Sequence, residues 1–252
     1  MGMASRYNSP PPSYTFSVPG FTRAVKVLII ATAAVFVLQY ASDPVNAWLT
    51  GTFALYPGLV AHGQVWRLAS YLFLHASLSH LFWNMFALWM FGVWVEEELG
   101  STRLYQLYFV SGIGGAVIDV LWHLATQPNL YSYTIGASAS VYGILLAVGL
   151  LFPEREVFLL LPPVAIKAKW LVLGYGALEF LFTLRGAGAD GIAHFAHLGG
   201  MLFAFLYLRL RLPRFGLAQG YERWRRKQMQ KKFEVYMNQR DRHPPPPGGW
   251  KH

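Results

Sequence analysis

His80 with Asn84, Ser138 and His197 are the side chains of this sequence whose types and spacing could do chemistry together. A serine hydroxyl beside a neutral imidazole can give up its proton as it attacks a carbonyl, and the imidazole can return that proton to a leaving amine. His80 and Asn84 are four residues apart, share one helix face, and can both donate hydrogen bonds to an oxyanion. Each group lies within a few residues of the start of a hydrophobic stretch, and those stretches are the second, fourth and sixth of six. A chain that crosses a membrane six times enters from the same side at every even-numbered crossing. The three groups are therefore expected just beneath one membrane face. Polar side chains inside a bilayer are costly and mark function by default.

The elements that must position them are apolar. Of 252 residues, 54% are hydrophobic and only 13% charged, with a mean hydropathy of +0.33, whereas soluble domains run to about 25% charged. The stretches cover roughly residues 24–41, 76–95, 104–125, 136–152, 169–184 and 192–209. Most approach the length of about 20 residues that a spanning helix needs. The fourth is short, about 25 Å at 1.5 Å per residue, so Ser138 at its start should sit below the outer surface. The expected fold is all-α, a polytopic membrane protein with six transmembrane helices. Of the 21 Lys and Arg residues, all but Arg67 and Arg185 fall on segments that are cytoplasmic if both termini are. The positive-inside rule thus places both termini in the cytoplasm, and we assign the protein to the plasma (cytoplasmic) membrane. The +9 net charge is accordingly a signal of topology and lipid headgroups, with no nucleic acid implied. The absence of Cys excludes disulfides, thiolate metal sites and a cysteine nucleophile.

Three regions follow: a disordered cytoplasmic N-terminus (1–22) with Pro10-Pro11-Pro12, a six-helix membrane domain (23–212) and a basic cytoplasmic tail (213–252). The tail interleaves Arg223, Arg225, Arg226, Lys227, Lys231 and Lys232 with Trp224, Phe233 and Tyr236, a juxtamembrane pattern for anionic headgroups. The outer connection from Ser42 to about Tyr71 is rich in Trp, Leu and Tyr. It reads either as an element lying partly in the membrane interface or as an ordinary packed loop. Pro153, Pro162 and Pro163 forbid a continuous helix over 153–168.

Locally, Ser138 lies in Gly136-Ala137-Ser138-Ala139-Ser140, whose small residues admit a second backbone. A helix start presents free N–H groups and the positive end of the dipole, suited to a developing oxyanion. An isolated Gly-x-Ser is otherwise a helix N-cap signal. His197 neighbours a stripe of Ala193, Ala196, Gly200 and Ala204, and a second small-residue surface, Gly112, Gly114, Gly115 and Ala116, lies on the third stretch. Asp119 and His123 have the spacing of a local ion pair, His75 that of a loop-ordering residue, and Glu179 either snorkels to the interface or belongs to a substrate gate.

The set His75-x4-His80-x3-Asn84, Gly136-x-Ser138, Tyr142 and Ala196-His197-x2-Gly200 closely resembles the rhomboid intramembrane serine proteases. Trp66-Arg67 and Glu96 with Leu99-Gly100-Ser101 add to the likeness, which runs from about Tyr56 to Leu212. The resemblance implies a Ser138 nucleophile and a His197 base, a dyad with no acidic third member. It also implies an oxyanion hole of His80, Asn84 and the Ser138 N–H, a Tyr142 ring packed on His197, and a cavity-lining His194. One departure is Ala139, where the family usually has Gly. The activity implied is endopeptidase cleavage of transmembrane segments near the outer face, without metal or cofactor. The alternative is an inactive relative that binds client helices. A metal-dependent role for His80, His194 and His197 has against it the lack of a His-Glu-x-x-His pattern and of an acidic residue within the motif.

For the tail, deleting residues 215–252 is expected to lower affinity for anionic liposomes, by about 1 kcal/mol per basic residue held near the surface. Unchanged binding in a liposome sedimentation assay would remove that role.

Overall fold

Each hydrophobic stretch continues without an internal proline, and each becomes a helix. The computed structural model describes residues 20–126, 132–160, 163–185 and 193–211. Its long helices are α1 (Arg23–Gln39), α5 (Leu78–Leu99), α6 (Ser101–Thr126), α7 (Ser138–Leu151), α8 (Ala168–Arg185) and α9 (His194–Arg211). By length and composition, α5 and α6 are apolar enough to cross a membrane. All six carry large apolar side chains on their outer faces, among them Ile30, Phe82, Leu121, Leu150, Leu181 and Leu202. The N-terminal lead-in to residue 19 and the basic tail lie outside the described residues.

The connection after α1 folds into α2 (Asp43–Phe53), α3 (Pro57–Ala61), α4 (Arg67–Ser70) and a 3-10 turn (Tyr71–Phe73). It is packed rather than free, and its organiser is a buried guanidinium. Arg67 donates to the carbonyls of Ala54 and Gly51, both at 2.6 Å, and to Gln64 Oε1 at 2.7 Å. The connection then pairs with the segment before Ser138 through reciprocal Leu55–Thr134 backbone bonds at 3.0 Å. The start of α1 is fixed by another buried charge. Glu96 on α5 accepts from Ala24 N at 2.8 Å, Val25 N at 3.0 Å and Thr22 Oγ1 at 2.5 Å, satisfying N–H groups that the first turn leaves open. Gly100, at φ +86°, ends α5.

The connection between α7 and α8 departs from an all-helical description. Glu156–Leu160 (β1) and Pro163–Lys167 (β2) form an antiparallel hairpin, with Val157 opposite Ile166 and Leu159 opposite Val164. Prolines barred a helix there, and Val164 and Ile166 on β2 with Val157 and Phe158 on β1 are residue types that favour strands.

At the centre, α6, α7 and α9 share the most extensive contacts of the bundle. A Cβ on Gly200 would stand 2.2 Å from the carbonyl oxygen of Ala139, and one on Gly115 would stand 2.4 Å from that of Ala196. Gly199 meets the Gly115 backbone in the same manner, and Gly143 makes room for the Ser111 side chain. Small residues thus set the spacing of α7 and α9 backbone against backbone. The structure accommodates Ala139 by facing its methyl toward Gly115, where a second Cβ would be only 2.8 Å away.

Gly200→Val is expected to cost at least the 1–3 kcal/mol (about) typical of overpacking, because a backbone rather than a flexible side chain would have to yield. Thermal unfolding in detergent should show a lowered midpoint; an unchanged midpoint would mean that α7 and α9 are not held by this contact.

Candidate active site

Ser138 is the first residue of α7, and Ala137 occupies the N-cap with no side-chain cap bond. The serine hydroxyl is therefore not spent on capping. Its partner is His197, whose Nε2 lies 2.7 Å from Ser138 Oγ across 59 residues of sequence. Tyr142, one turn along α7, stacks on the His197 ring with centroids 4.4 Å apart and planes within 15°. Ser140 points the other way and donates to the Tyr108 carbonyl at 2.7 Å, which makes it a tie to α6.

His80 and Asn84 sit on the first turns of α5, whose N-cap Ser77 accepts from His80 N at 3.1 Å. Asn84 is buried and donates one amide hydrogen to the His80 carbonyl at 3.0 Å, leaving its second donor uncommitted by that bond. His80 comes close to the α7 approach because Gly136 has no side chain. With φ at +124°, a Cβ there would lie 2.7 Å from His80 Cε1 and 2.8 Å from Nε2. The Gly136 N–H bonds the Tyr71 carbonyl at 3.0 Å, and the Tyr71 hydroxyl bonds the Gly112 carbonyl at 2.8 Å, so the turn before Ser138 is held from both sides.

His80, Asn84, Ser138, Tyr142, His194 and His197 all line one cavity of about 1170 Å³. Beyond them its walls are mostly apolar, from Trp83, Ala87 and Met90 on α5 and Leu171 and Tyr175 on α8, with Asp119, His123 and Thr134 adding polar groups. His75 is buried outside the cavity, with its N–H on Gln39 Oε1 at 3.0 Å and its ring edge-on to His80. Asp119 meets His123 at 3.6 Å and accepts from Thr134 Oγ1 at 3.0 Å.

One residue corrects the sequence reading. Glu179 neither snorkels nor faces the exterior: it is 5% exposed, buried beside the histidines. Its Oε2 lies 2.6 Å from His194 Nδ1, and its Oε1 accepts from the Tyr142 hydroxyl and lies 3.1 Å from His197 Nδ1. That last contact is at ion-pair distance but off the line of an aligned hydrogen bond. The expectation that no acidic residue accompanies the histidines therefore fails in space, although it holds along the sequence. The signal was present: a lone carboxylate in an apolar stretch needs a buried partner. Glu179, His194 and His197 are also the group, among the described residues, whose ligand atoms converge to within 4.8 Å and could hold a metal ion. His80 is not part of that group.

A family model described as the Rhomboid domain matches residues 62–214, which include His80, Asn84, Ser138, Tyr142, Glu179, His194 and His197. The chain belongs to the rhomboid family. It is thereby an integral membrane protein. Among curated rhomboid relatives it is 32% identical over 173 residues to RHOMBOID-like protein 1 of Arabidopsis thaliana, covering 65% of this chain and 39% of that one. It is 32% identical over 160 residues to Rhomboid-like protease 1 of Toxoplasma gondii (60% and 49% covered). It is 27% identical over 192 residues to Rhomboid protease GlpG of Yersinia pestis (76% and 60% covered). The chain thus spans between about two fifths and three fifths of these rhomboid relatives' lengths.

Gly136→Ala tests why the motif of this rhomboid domain begins with glycine. A positive φ and a collision with His80 both oppose a methyl, so destabilisation beyond the ~1 kcal/mol of an ordinary Gly/Ala exchange is expected. Unaltered unfolding and unaltered Ser138 reactivity in this variant would show that His80 does not depend on the gap.

Proposed function

We propose that this rhomboid protein is an intramembrane serine endopeptidase, with Ser138 as nucleophile and His197 as general base. The observation that carries the proposal is the 2.7 Å contact between His197 Nε2 and a Ser138 hydroxyl that caps nothing. Ser138 Oγ attacks a peptide carbonyl while its proton passes to His197 Nε2. The tetrahedral oxyanion forms at the open N–H groups of the α7 start, beside His80 and Asn84. The proton then moves to the leaving amine, the C–N bond breaks, and water hydrolyses the acyl-enzyme by the same relay in reverse. Tyr142 supports the imidazole ring.

In this proposal α1, α5, α6, α7, α8 and α9 cross the bilayer, both termini are cytoplasmic, and the site lies below the outer face. The apolar outer surface of all six helices supports that arrangement. The substrate is a transmembrane segment of another protein. A helix hides its carbonyls in its own hydrogen bonds, so the segment must unwind locally, and small or helix-breaking residues favour this. The cavity, walled by α5 on one side and α8 on the other, supplies an apolar path to Ser138. The membrane is the plasma membrane in our proposal, although curated relatives include a mitochondrial protein of Saccharomyces cerevisiae and a chloroplastic one of Arabidopsis thaliana. The basic tail would hold anionic lipid.

A fluorophosphonate probe should label the detergent-solubilised protein. Ser138→Ala and His197→Ala should abolish labelling, and Ser140→Ala should retain it. A folded wild type that neither labels nor cleaves a model transmembrane substrate in proteoliposomes would favour the client-binding alternative instead.

A further inference from the structure

The mechanism above leaves unused a carboxylate buried beside the proposed base. Glu179 projects from α8 into the contact between α7 and α9, where its Oε2 lies 2.6 Å from His194 Nδ1 and its Oε1 accepts from the Tyr142 hydroxyl and lies 3.1 Å from His197 Nδ1. Burying a carboxylate costs several kcal/mol after relaxation, so it persists where donors surround it. A structural tie between α8 and α9 would need only the 2.6 Å bond to His194. The second oxygen, however, lies 3.1 Å from the nitrogen of His197 opposite the one that meets Ser138, at ion-pair distance though off the line of an aligned hydrogen bond.

We infer that Glu179 is a positioning residue for the proposed base, making the site a serine–histidine–glutamate relay rather than a dyad. This deepens the endopeptidase proposal and rests on it. The reasoning is one of hydrogen counting. An ionised carboxylate only accepts, so Nδ1 of His197 must carry the hydrogen, and Nε2 must present its lone pair to the Ser138 hydroxyl. The opposite tautomer would set a bare Nδ1 against a carboxylate oxygen, two acceptors face to face, and would leave Nε2 with a hydrogen where it has to receive one. When His197 takes the serine proton it becomes a cation, with the glutamate 3.1 Å from its far nitrogen. The off-line approach fits a contact that tightens only as that cation forms, as hydrogen bonds at resting catalytic sites often do. Tyr142 serves both ends, stacking on the imidazole and donating to the same Oε1. His194 occupies the other oxygen and so fixes how the carboxylate is turned.

Glu179→Gln keeps the shape and removes the charge. In a serine protease where the acidic partner was changed to its amide, turnover fell about 10⁴-fold. Here Tyr142 still holds the ring, so a smaller fall is expected, about 10- to 100-fold in kcat and in the rate of fluorophosphonate labelling, with KM for a transmembrane substrate within about twofold. A merely structural role predicts a lower unfolding midpoint without this split. Wild-type kcat and labelling rate in a folded Glu179→Gln protein would overturn the inference while leaving the endopeptidase proposal intact. A wild type that neither labels nor cleaves would overturn both. If Glu179→Gln does not fold, the wild type itself decides through ¹⁵N NMR of histidine-labelled protein, the His197 signals being assigned by their loss in His197→Gln. A hydrogen on Nδ1 and a bare Nε2 is expected; the reverse tautomer would overturn the inference.

Discussion

How closely two helices can approach decides what the rest of this molecule can do. In a bilayer no hydrophobic force drives helix against helix, because lipid tails are as apolar as leucine, and association relies on packing and hydrogen bonds. The crossing of α7 and α9 meets that demand with backbone contact, Gly200 against the carbonyl of Ala139, with α6 closing the gap through Gly115. The serine and histidine side chains are short, and a 2.7 Å contact between them exists only because their backbones are nearly touching. Ser140, next but one to Ser138, locks the same turn of α7 to the Tyr108 carbonyl of α6. Rotation of α7 about its axis would break that bond and the stack of Tyr142 on His197 together.

A second constraint is that buried polar groups must find partners, and the fold uses this to fasten elements that apolar packing alone leaves loose. Arg67 gathers three acceptors and gives the connection after α1 a fixed shape. Glu96 does the reverse, gathering donors from the start of α1 and Ser101 Oγ at 2.6 Å. Both are satisfied within one neighbourhood and carry no free valence toward the cavity. Glu179 differs in where its donors come from: α7 and α9, the two helices that bear Ser138 and His197. The same physical rule that makes Arg67 and Glu96 structural makes Glu179 a link between packing and chemistry.

The sequence disclosed these features unevenly. The six hydrophobic stretches mark the six long helices because apolar composition is a local property. The expectation that His80, Asn84, Ser138 and His197 would meet rested on their matched places near the starts of the second, fourth and sixth stretches, and in the structure all four line one cavity. The small-residue stripes on α6 and α9 were visible too, but not their pairing: nothing in Ala139 by itself says that its methyl will face Gly115. The hairpin was half legible, as prolines ruled out helix over 153–168 without saying what would replace it. Glu179 was missed for a geometric reason. It lies 15 residues before His194, on a helix whose apolar residues run all round it, so no periodicity tells which face turns inward. Only the position of α8 against α7 and α9 resolves it.

That position also ties substrate access to the state of the site. The cavity is bounded by Trp83, Ala87 and Met90 on α5 and by Leu171 and Tyr175 on α8. Along α8 the outward residues Leu173, Leu178, Leu181 and Leu184 are about half or more exposed, so the described residues leave much of this helix uncovered. Its firm attachments inside the bundle include the Val172–Gly149 packing near its start and the Glu179 cluster near its middle. In the proposed route, a transmembrane segment entering between α5 and α8 would press on the helix that carries Glu179. Displacing α8 outward would draw Glu179 from His197, whereas a segment that leaves α8 in place keeps the base oriented. The chemistry proposed for Ser138 and the route proposed for its substrate therefore meet at one side chain, and the hydrogen bonds of Glu179 bound how far α8 can move while the site stays assembled.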